Sequence, residues 1–309
     1  MLKNKDLLGL KDLSKEEILL ILETAEHMKK IVCSPNKKSP YFSGRSMATL
    51  FYENSTRTKS SFEFACSYMG GSFSSLNVAT SSVNKGESVL DTLKTIDSFG
   101  TDVIVIRHSQ SGIPHTFAPH VKAHIINAGD GMNEHPTQAL LDMLTIKQNF
   151  DTFQGLQVAI LGDIKHSRVA RSNIWGLSKL GAQIRIYGPG TLLPVGIEKM
   201  PNVKICSSVK EAVKDADAVM GLRLQLERMA KGLIPSMGEF HKKFGVDEQM
   251  LTYAKKDAIL LHPGPVNRNV ELSYDAVDCP QSFINEQVTN GVAVRMAAMY
   301  LLTSNKQVL

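Results

Sequence analysis

Several short clusters in the first half of the chain carry residue types suited to holding an oxyanion. Ser55-Thr56-Arg57-Thr58 stands between an apolar run at 47–52 and the helix-forming stretch that begins Ser61-Phe62-Glu63. Hydroxyls, unspent backbone N–H groups and a guanidinium gathered at a helix N-terminus suit a phosphate dianion, because the helix dipole and its orphan donors point outward there. The same residues also suit a capped helix with Arg57 in solvent. Three further clusters follow apolar runs: residues 81–88 with Ser81 and Lys85, the pair Arg107-His108, and residues 129–138 with His135 and Gln138. In open α/β sheets ligands bind beyond the carboxyl ends of strands, which is where all four clusters fall. His135 and Gln138 are three apart at a helix start with Pro136 at an early helical position, so both side chains can share one face. A histidine there also serves as a cap or a satisfied structural residue.

The second half repeats the arrangement. Residues 160–168 leave one apolar run, 221–228 a later one, and 261–268 the last. Arg168, Arg223 and Gln225 form a candidate carboxylate clamp, since a guanidinium can hold a carboxylate in a bidentate fork. The alternative makes both arginines surface residues paired with Glu or Asp. Ile160-Leu161-Gly162-Asp163 lacks the G-x-G-x-x-G spacing that brings a backbone onto a pyrophosphate, so a dinucleotide cofactor is disfavoured. G-x-S-x-G does not occur, which leaves a serine nucleophile without an anchor. His108, His115, His120 and His124 cluster without Cys or carboxylate partners at zinc-ligand spacing. Neither metal nor cofactor is expected.

These clusters need elements to carry them. Ser14-Lys15-Glu16-Glu17 reads as a capping box opening a helix. Short β-like runs then alternate with helical stretches: 47–52, 72–78, 102–106 and 124–127 in the first half, and 157–161, 183–187, 218–220 and 258–261 in the second. Helical patterns at 169–180 and 209–214 separate the later runs. Such alternation predicts βαβ units and parallel sheets, hence an α/β fold of two doubly wound parallel-sheet domains joined by interdomain helices. The expected boundaries are 1–134 plus 288–309 for the first domain and 150–287 for the second, with 135–149 as the connecting helix. The long helical stretch at 285–304 is expected to pack back on the first domain.

The 309 residues suit about two domains at ~150 residues each. With 43% hydrophobic and 21% charged residues the chain is too apolar for a disordered segment. The net charge of +5 is spread along the chain, and its basic residues sit at strand ends rather than in an aromatic-lined stripe, which argues against nucleic acid. Four widely spaced cysteines show neither a C-x-x-C signature nor a secreted framework, and charged residues interrupt the opening stretch, so a soluble cytoplasmic protein without membrane contact is expected.

Ser55-Thr56-Arg57-Thr58 before Ser61-Phe62-Glu63, with His135-Pro136-Thr137-Gln138 downstream, resembles the carbamoyltransferase family. Lys85-Gly86-Glu87, Arg168, Arg223-Leu224-Gln225 and His262-Pro263-Gly264-Pro265 resemble the branch of that family that carbamoylates aspartate, and the resemblance spans essentially the whole chain. The ornithine branch carries H-C-L-P where this chain has His262-Pro263-Gly264-Pro265. Ser236-Met237-Gly238 is similar to a short ornithine-branch motif, but falls in an expected loop and lacks the accompanying Asp. Charge separates the branches independently: an ornithine site needs an acid for the side-chain ammonium, whereas Arg168, Arg223 and Lys85 suit a dicarboxylate.

The resemblance implies transfer of the carbamoyl group of carbamoyl phosphate to L-aspartate, a step of pyrimidine biosynthesis. It assigns Ser55, Thr56, Arg57, Thr58, Arg107, His135, Gln138, Gly264 and Pro265 to carbamoyl phosphate, and Lys85, Arg168, Arg223 and Gln225 to aspartate. Arg57, Thr58, Lys85, Arg107 and His135 are the implied catalytic set. Ser81 and Lys85 are implied to reach a neighbouring subunit's site, which makes the assembly a homotrimer. Regulatory or dihydroorotase chains are the class of further partner that the resemblance names. Transfer to another amine such as ornithine, or a silent paralogue acting as a scaffold, are the alternatives. The full set of polar strand-end residues argues against the silent copy.

Overall fold

The computed structural model describes residues 2–77, 88–229, 232–234 and 236–304. Ser81 and Lys85 lie outside the described residues. Contacts divide the chain into two compact units, 1–141 with 289–309 and 142–288.

The first unit opens with α1 (Lys15–Val32), whose start is the expected capping box: Ser14 Oγ accepts from Glu17 N–H, and Glu17 reaches back to Ser14 N–H. Burial pushes the Glu17 carboxyl up, but the N–H groups of Ser14 and Lys3 outweigh it and hold the group below its ordinary range. Four parallel strands follow, β1 (Ser46–Phe51), β2 (Ser72–Asn77), β3 (Val103–His108) and β4 (His124–Asp130), in the order β2-β1-β3-β4. Met47, Ala48, Leu50 and the β3 run from Val103 to Ile106 are buried, as strands covered on both faces require. The outer side of β4 pairs with the N-terminal segment, where Leu7 N–H donates to Ile125 O at 2.9 Å and Asn127 N–H to Leu7 O at 3.0 Å.

Helices α2 (Thr56–Tyr68), α3 (Val89–Ser98) and the short α4 (Ile113–Phe117) link these strands, and α5 (Pro136–Lys147) leaves β4. The division between units falls within α5, after Leu141. Four free cysteines are present, and burial pushes the Cys66 thiol up to about 12, leaving it protonated and inert.

The second unit holds five parallel strands, β5 (Gln157–Leu161), β6 (Gln183–Tyr187), β7 (Val203–Ile205), β8 (Ala218–Gly221) and β9 (Ile259–Leu261), in the order β7-β6-β5-β8-β9. The edge strand β7 was not foreseen from the sequence, because its three residues are half-buried to exposed and too few for their alternation to read as a strand. Helices α6 (Arg168–Leu180) and α7 (Val209–Val213) cross between strands, and α8 (Met237–Phe244), α9 (Glu248–Leu251) and α10 (Tyr274–Asp278) follow. Ser236-Met237-Gly238 opens a helix, contrary to the loop expected: Ser236 caps α8, accepting from Glu239 N–H at 3.1 Å.

The last helix, α11 (Ile284–Thr303), places its later residues in the first unit. There the Arg295 guanidinium lies over the Phe62 ring at 5.1 Å, Tyr300 meets Tyr41 edge-on at 5.4 Å, and Arg45 donates to Thr303 O. No helix among the described residues is long and apolar enough to cross a membrane.

Candidate active site

Each sheet reverses its winding direction once, and the polar clusters after β1 and β3 in the first unit and after β5 and β8 in the second flank these points. In the first unit the chain moves from β1 outward to β2, then returns to lay β3 on the other side of β1. The carboxyl ends of β1 and β3 therefore flank a crevice of the kind that receives ligands in open α/β sheets. After β1 come Ser55-Thr56-Arg57-Thr58, with Thr56 as the first residue of α2. Ser55 occupies the N-cap position yet makes no side-chain capping bond, so its hydroxyl is not committed to the helix end. Thr56 and Arg57 are exposed, Ser55 is half-buried and Thr58 is buried.

Arg107 is the penultimate residue of β3 and falls within a register shift between β3 and β4 that spans Ile106 to His108. Such an irregularity re-aims the residue it contains. The guanidinium Nε stands 3.2 Å from Glu53 Oε2, and Nη1 donates to Ala128 O at 3.3 Å. Beside it, His108 accepts from Gln110 N–H at Nδ1 and packs its ring 4.8 Å from that of Tyr52. Burial lowers the pKa of His108, with Glu53 and Asp130 opposing the shift.

His135 immediately precedes α5, and its carbonyl accepts from the N–H groups of Gln138 and Ala139. Both His135 and Gln138 are buried. The loop that delivers them is organised by two carboxylates to which the sequence reading assigned no role. Asp130 accepts from Gly112 N–H at 2.6 Å, Asn127 Nδ2 at 2.8 Å, Asn133 Nδ2 at 3.0 Å and Glu134 N–H at 3.1 Å. Glu134 reaches the N-terminal segment, accepting from Leu10 N–H at 2.7 Å and Lys11 N–H at 3.2 Å. A buried carboxylate is tolerable only with its lone pairs engaged in this way. The other clustered histidines serve separate local contacts: His124 Nδ1 meets Lys5 O at 2.6 Å, and His115 stands 3.7 Å from Asp12.

In the second unit the reversal falls between β5 and β8. Gly162, after β5, has φ +116°, and a Cβ there would lie 3.0 Å from Leu222 O, so only glycine lets the two strand-end loops approach this closely. Asp163 follows, fully buried. It holds His166 Nδ1 at 2.9 Å and accepts, at 3.4 Å, from Gln225 N–H on the loop after β8. Ser167 caps α6 through Ala170 N–H, and Arg168 is the first residue of that helix.

Arg168 is 4% exposed, which removes it from the solvated-surface alternative. Arg223 is half-buried and fits both readings. Its Nη2 donates to Gln225 Oε1 at 2.9 Å and also pairs with the Glu227 carboxylate. Gln225 Nε2 returns to Arg223 O at 3.3 Å. After β9, Gly264 has φ +59° and is joined to Pro265 by a cis peptide bond. A left-handed backbone favours glycine, which explains why Gly264 rather than a bulkier residue stands here.

Two adjoining family models match the chain: the aspartate/ornithine carbamoyltransferase carbamoyl-P binding domain over residues 5–148, and the Asp/Orn binding domain of the same family over residues 154–302. The aspartate carbamoyltransferase catalytic subunit of Ruminiclostridium cellulolyticum is 62% identical over 302 residues, covering 98% of this chain and 96% of the relative. Among solved structures, aspartate transcarbamoylase from Trypanosoma cruzi in complex with carbamoyl aspartate and phosphate superposes with a TM-score of 0.88 at 31% identity, covering 97% of this chain and 96% of the other. Ornithine carbamoyltransferase from Pyrococcus furiosus superposes with a TM-score of 0.86 at 28% identity, covering 98% of each chain. With both halves matched in order and relatives this similar over nearly the full length, the chain belongs to the aspartate/ornithine carbamoyltransferase family.

Proposed function

We propose that the two strand-end clusters serve one reaction: carbamoyl phosphate and L-aspartate give N-carbamoyl-L-aspartate and phosphate. The chain is a transferase. Ser55, Thr56, Arg57 and Thr58 hold the phosphate with their hydroxyls, guanidinium and the N-terminal N–H groups of α2. Arg107 bridges the phosphate and the carbonyl oxygen. Together with Thr58 and His135 it donates to the oxyanion that grows as the amine attacks, where preorganised donors lower a barrier most. Gln138 and the carbonyls of Gly264 and Pro265 orient the carbamoyl NH2.

Arg168, Arg223 and Gln225 hold the aspartate carboxylates. The amino nitrogen forms a bond to the carbamoyl carbon, the bond from that carbon to the phosphate oxygen breaks, and the departing phosphate takes the amine proton. Holding the amine beside an acyl phosphate supplies much of the acceleration without a covalent enzyme intermediate.

The observation that carries the reading is the gathering of an uncommitted hydroxyl at Ser55, the N-terminus of α2 and the re-aimed Arg107 at one topological switch point. Supporting the amine assignment are three residues for two carboxylates, Arg168, Arg223 and Gln225. By resemblance, Ser81 and Lys85 act in a neighbouring subunit's site, so the working form is a homotrimer, with regulatory or dihydroorotase chains as the further class of partner. A reducing cytoplasm suits four free cysteines.

The deciding assay offers carbamoyl phosphate with either L-aspartate or L-ornithine and follows ureido product and released phosphate. Product with aspartate alone is expected. Product with ornithine alone would overturn the second-unit assignment, and silence with both from a folded trimer would overturn the catalytic reading.

A further inference from the structure

The loop after β9 is held by acids that the transfer chemistry does not use. His262, the first residue beyond β9, is buried, and its Nδ1 accepts the N–H of Gly264 at 2.9 Å. An imidazole nitrogen that accepts leaves the proton on the other, so Nε2 carries it toward Glu271 Oε1, 3.2 Å away. The same Glu271 oxygen accepts Asn267 N–H at 2.7 Å. The span 264–267 is therefore fastened at both ends, through His262 at Gly264 and directly at Asn267. Glu271 Oε2 has no hydrogen-bond partner among the described residues.

The network continues inward from His262. Its own N–H donates to Gln287 Oε1 at 2.9 Å, Gln287 Nε2 donates to Asp142 Oδ1 at 2.7 Å, and Asn173 Nδ2 donates to Asp142 Oδ2 at 2.7 Å. All of these side chains are buried. Two buried carboxylates are a costly way to brace a loop when apolar packing would do, and a polar network of this kind fixes direction where packing fixes only distance.

We infer that Glu271 is a positioning residue for carbamoyl phosphate: through His262 and Asn267 it sets the directions of the Gly264 and Pro265 carbonyls, and so the preference for a ligand with an NH2 group. The inference rests on the proposed role of those carbonyls. The contacts of Glu271 Oε1 are with His262 and Asn267, so its effect passes through them.

Acetyl phosphate separates the possibilities, because it keeps the phosphate and the carbonyl but presents a methyl group where carbamoyl phosphate presents NH2. Dissociation constants for both are measured by calorimetry on the intact protein without aspartate. Wild type is expected to prefer carbamoyl phosphate. Glu271→Leu is expected to weaken carbamoyl phosphate roughly tenfold while changing acetyl phosphate less than about twofold. Glu271→Gln, which keeps one oxygen for both donors, is expected to restore the preference to within about threefold of wild type.

Parallel loss of both ligands in Glu271→Leu, no change in either, or equal loss in Glu271→Gln and Glu271→Leu would each overturn the inference. Should Glu271→Leu fail to fold, Glu271→Asp withdraws the acceptor by one methylene and must erode the preference in the same direction, and an unchanged preference overturns the inference. A wild type that binds both acyl phosphates equally would instead overturn the role of the carbonyls themselves.

Discussion

At the strand ends of the first unit, two of the groups assigned to carbamoyl phosphate, Thr58 and His135, are short side chains set close to the backbone. Thr58 lies within the first turn of α2, and His135 directly precedes α5, behind a loop locked by Asp130 and Glu134. At the strand ends of the second unit, Arg223 is a long side chain held at its tip by Glu227 and Gln225. Asp163 and Glu271 take the locking role there, Asp163 by joining two loops distant in sequence and Glu271 by bracing the loop after β9 from within the same segment. Where charge develops during a reaction, donors must already be in place, and rigid attachment suits them. Where a substrate is recognised before reaction, a long side chain serves provided that its tip is steadied, as Glu227 and Gln225 steady that of Arg223.

That contrast makes kinetic predictions. His135→Ala and Arg107→Ala should lower kcat by about 10²-fold or more, with aspartate KM little changed. A loss confined to KM would place both residues among binding rather than rate-setting groups. Arg168→Ala and Arg223→Ala should act in the opposite sense, raising aspartate KM by roughly 10- to 100-fold while carbamoyl phosphate affinity holds, since each removes charge-assisted hydrogen bonds. A matching loss of carbamoyl phosphate affinity would erase the division of labour between the units.

Smaller effects sharpen the comparison. Glu227→Gln loosens the tip of Arg223 and is expected to raise aspartate KM about threefold, the scale of a partly exposed ion pair. A fall in KM would show Glu227 to be a competitor of the substrate rather than a support. The smallest effect concerns His108 in the first unit, whose pKa burial lowers from its ordinary 6.5. The unfolded chain then takes up the proton first, so the stability tied to this group is intact above about pH 6.5 and is lost as pH falls below it. Melting temperatures at pH 7 and pH 5.5 should differ by about 2 °C less in His108→Gln than in wild type.

Much of this was legible in the residues themselves. Buried parallel strands announce themselves as apolar runs, and the clusters at Ser55, Arg107, His135, Arg168 and Arg223 lie where a strand stops and polar residues begin. The capping box at Ser14 is a local pattern with a local cause. What the sequence did not reveal is the bracing. Glu134 meets Leu10 across 124 residues and Asp163 meets Gln225 across 62, and no spacing rule relates such pairs. β4 runs on to Asp130, past the expected end at Asn127, because Asn127 and Asp130 satisfy one another in the buried loop. β7 escaped for the opposite reason, since three poorly buried residues owe their strand conformation to β6 alone.

The separate switch points have a consequence for how such proteins change over generations. On the proposed roles, the acceptor amine can be exchanged by redrawing the loops after β5 and β8 while the anion cradle after β1 and β3 stays untouched. Specificity becomes a detachable trait, inherited or replaced as a block, and chains sharing under a third of their residues can keep one architecture while serving different amines.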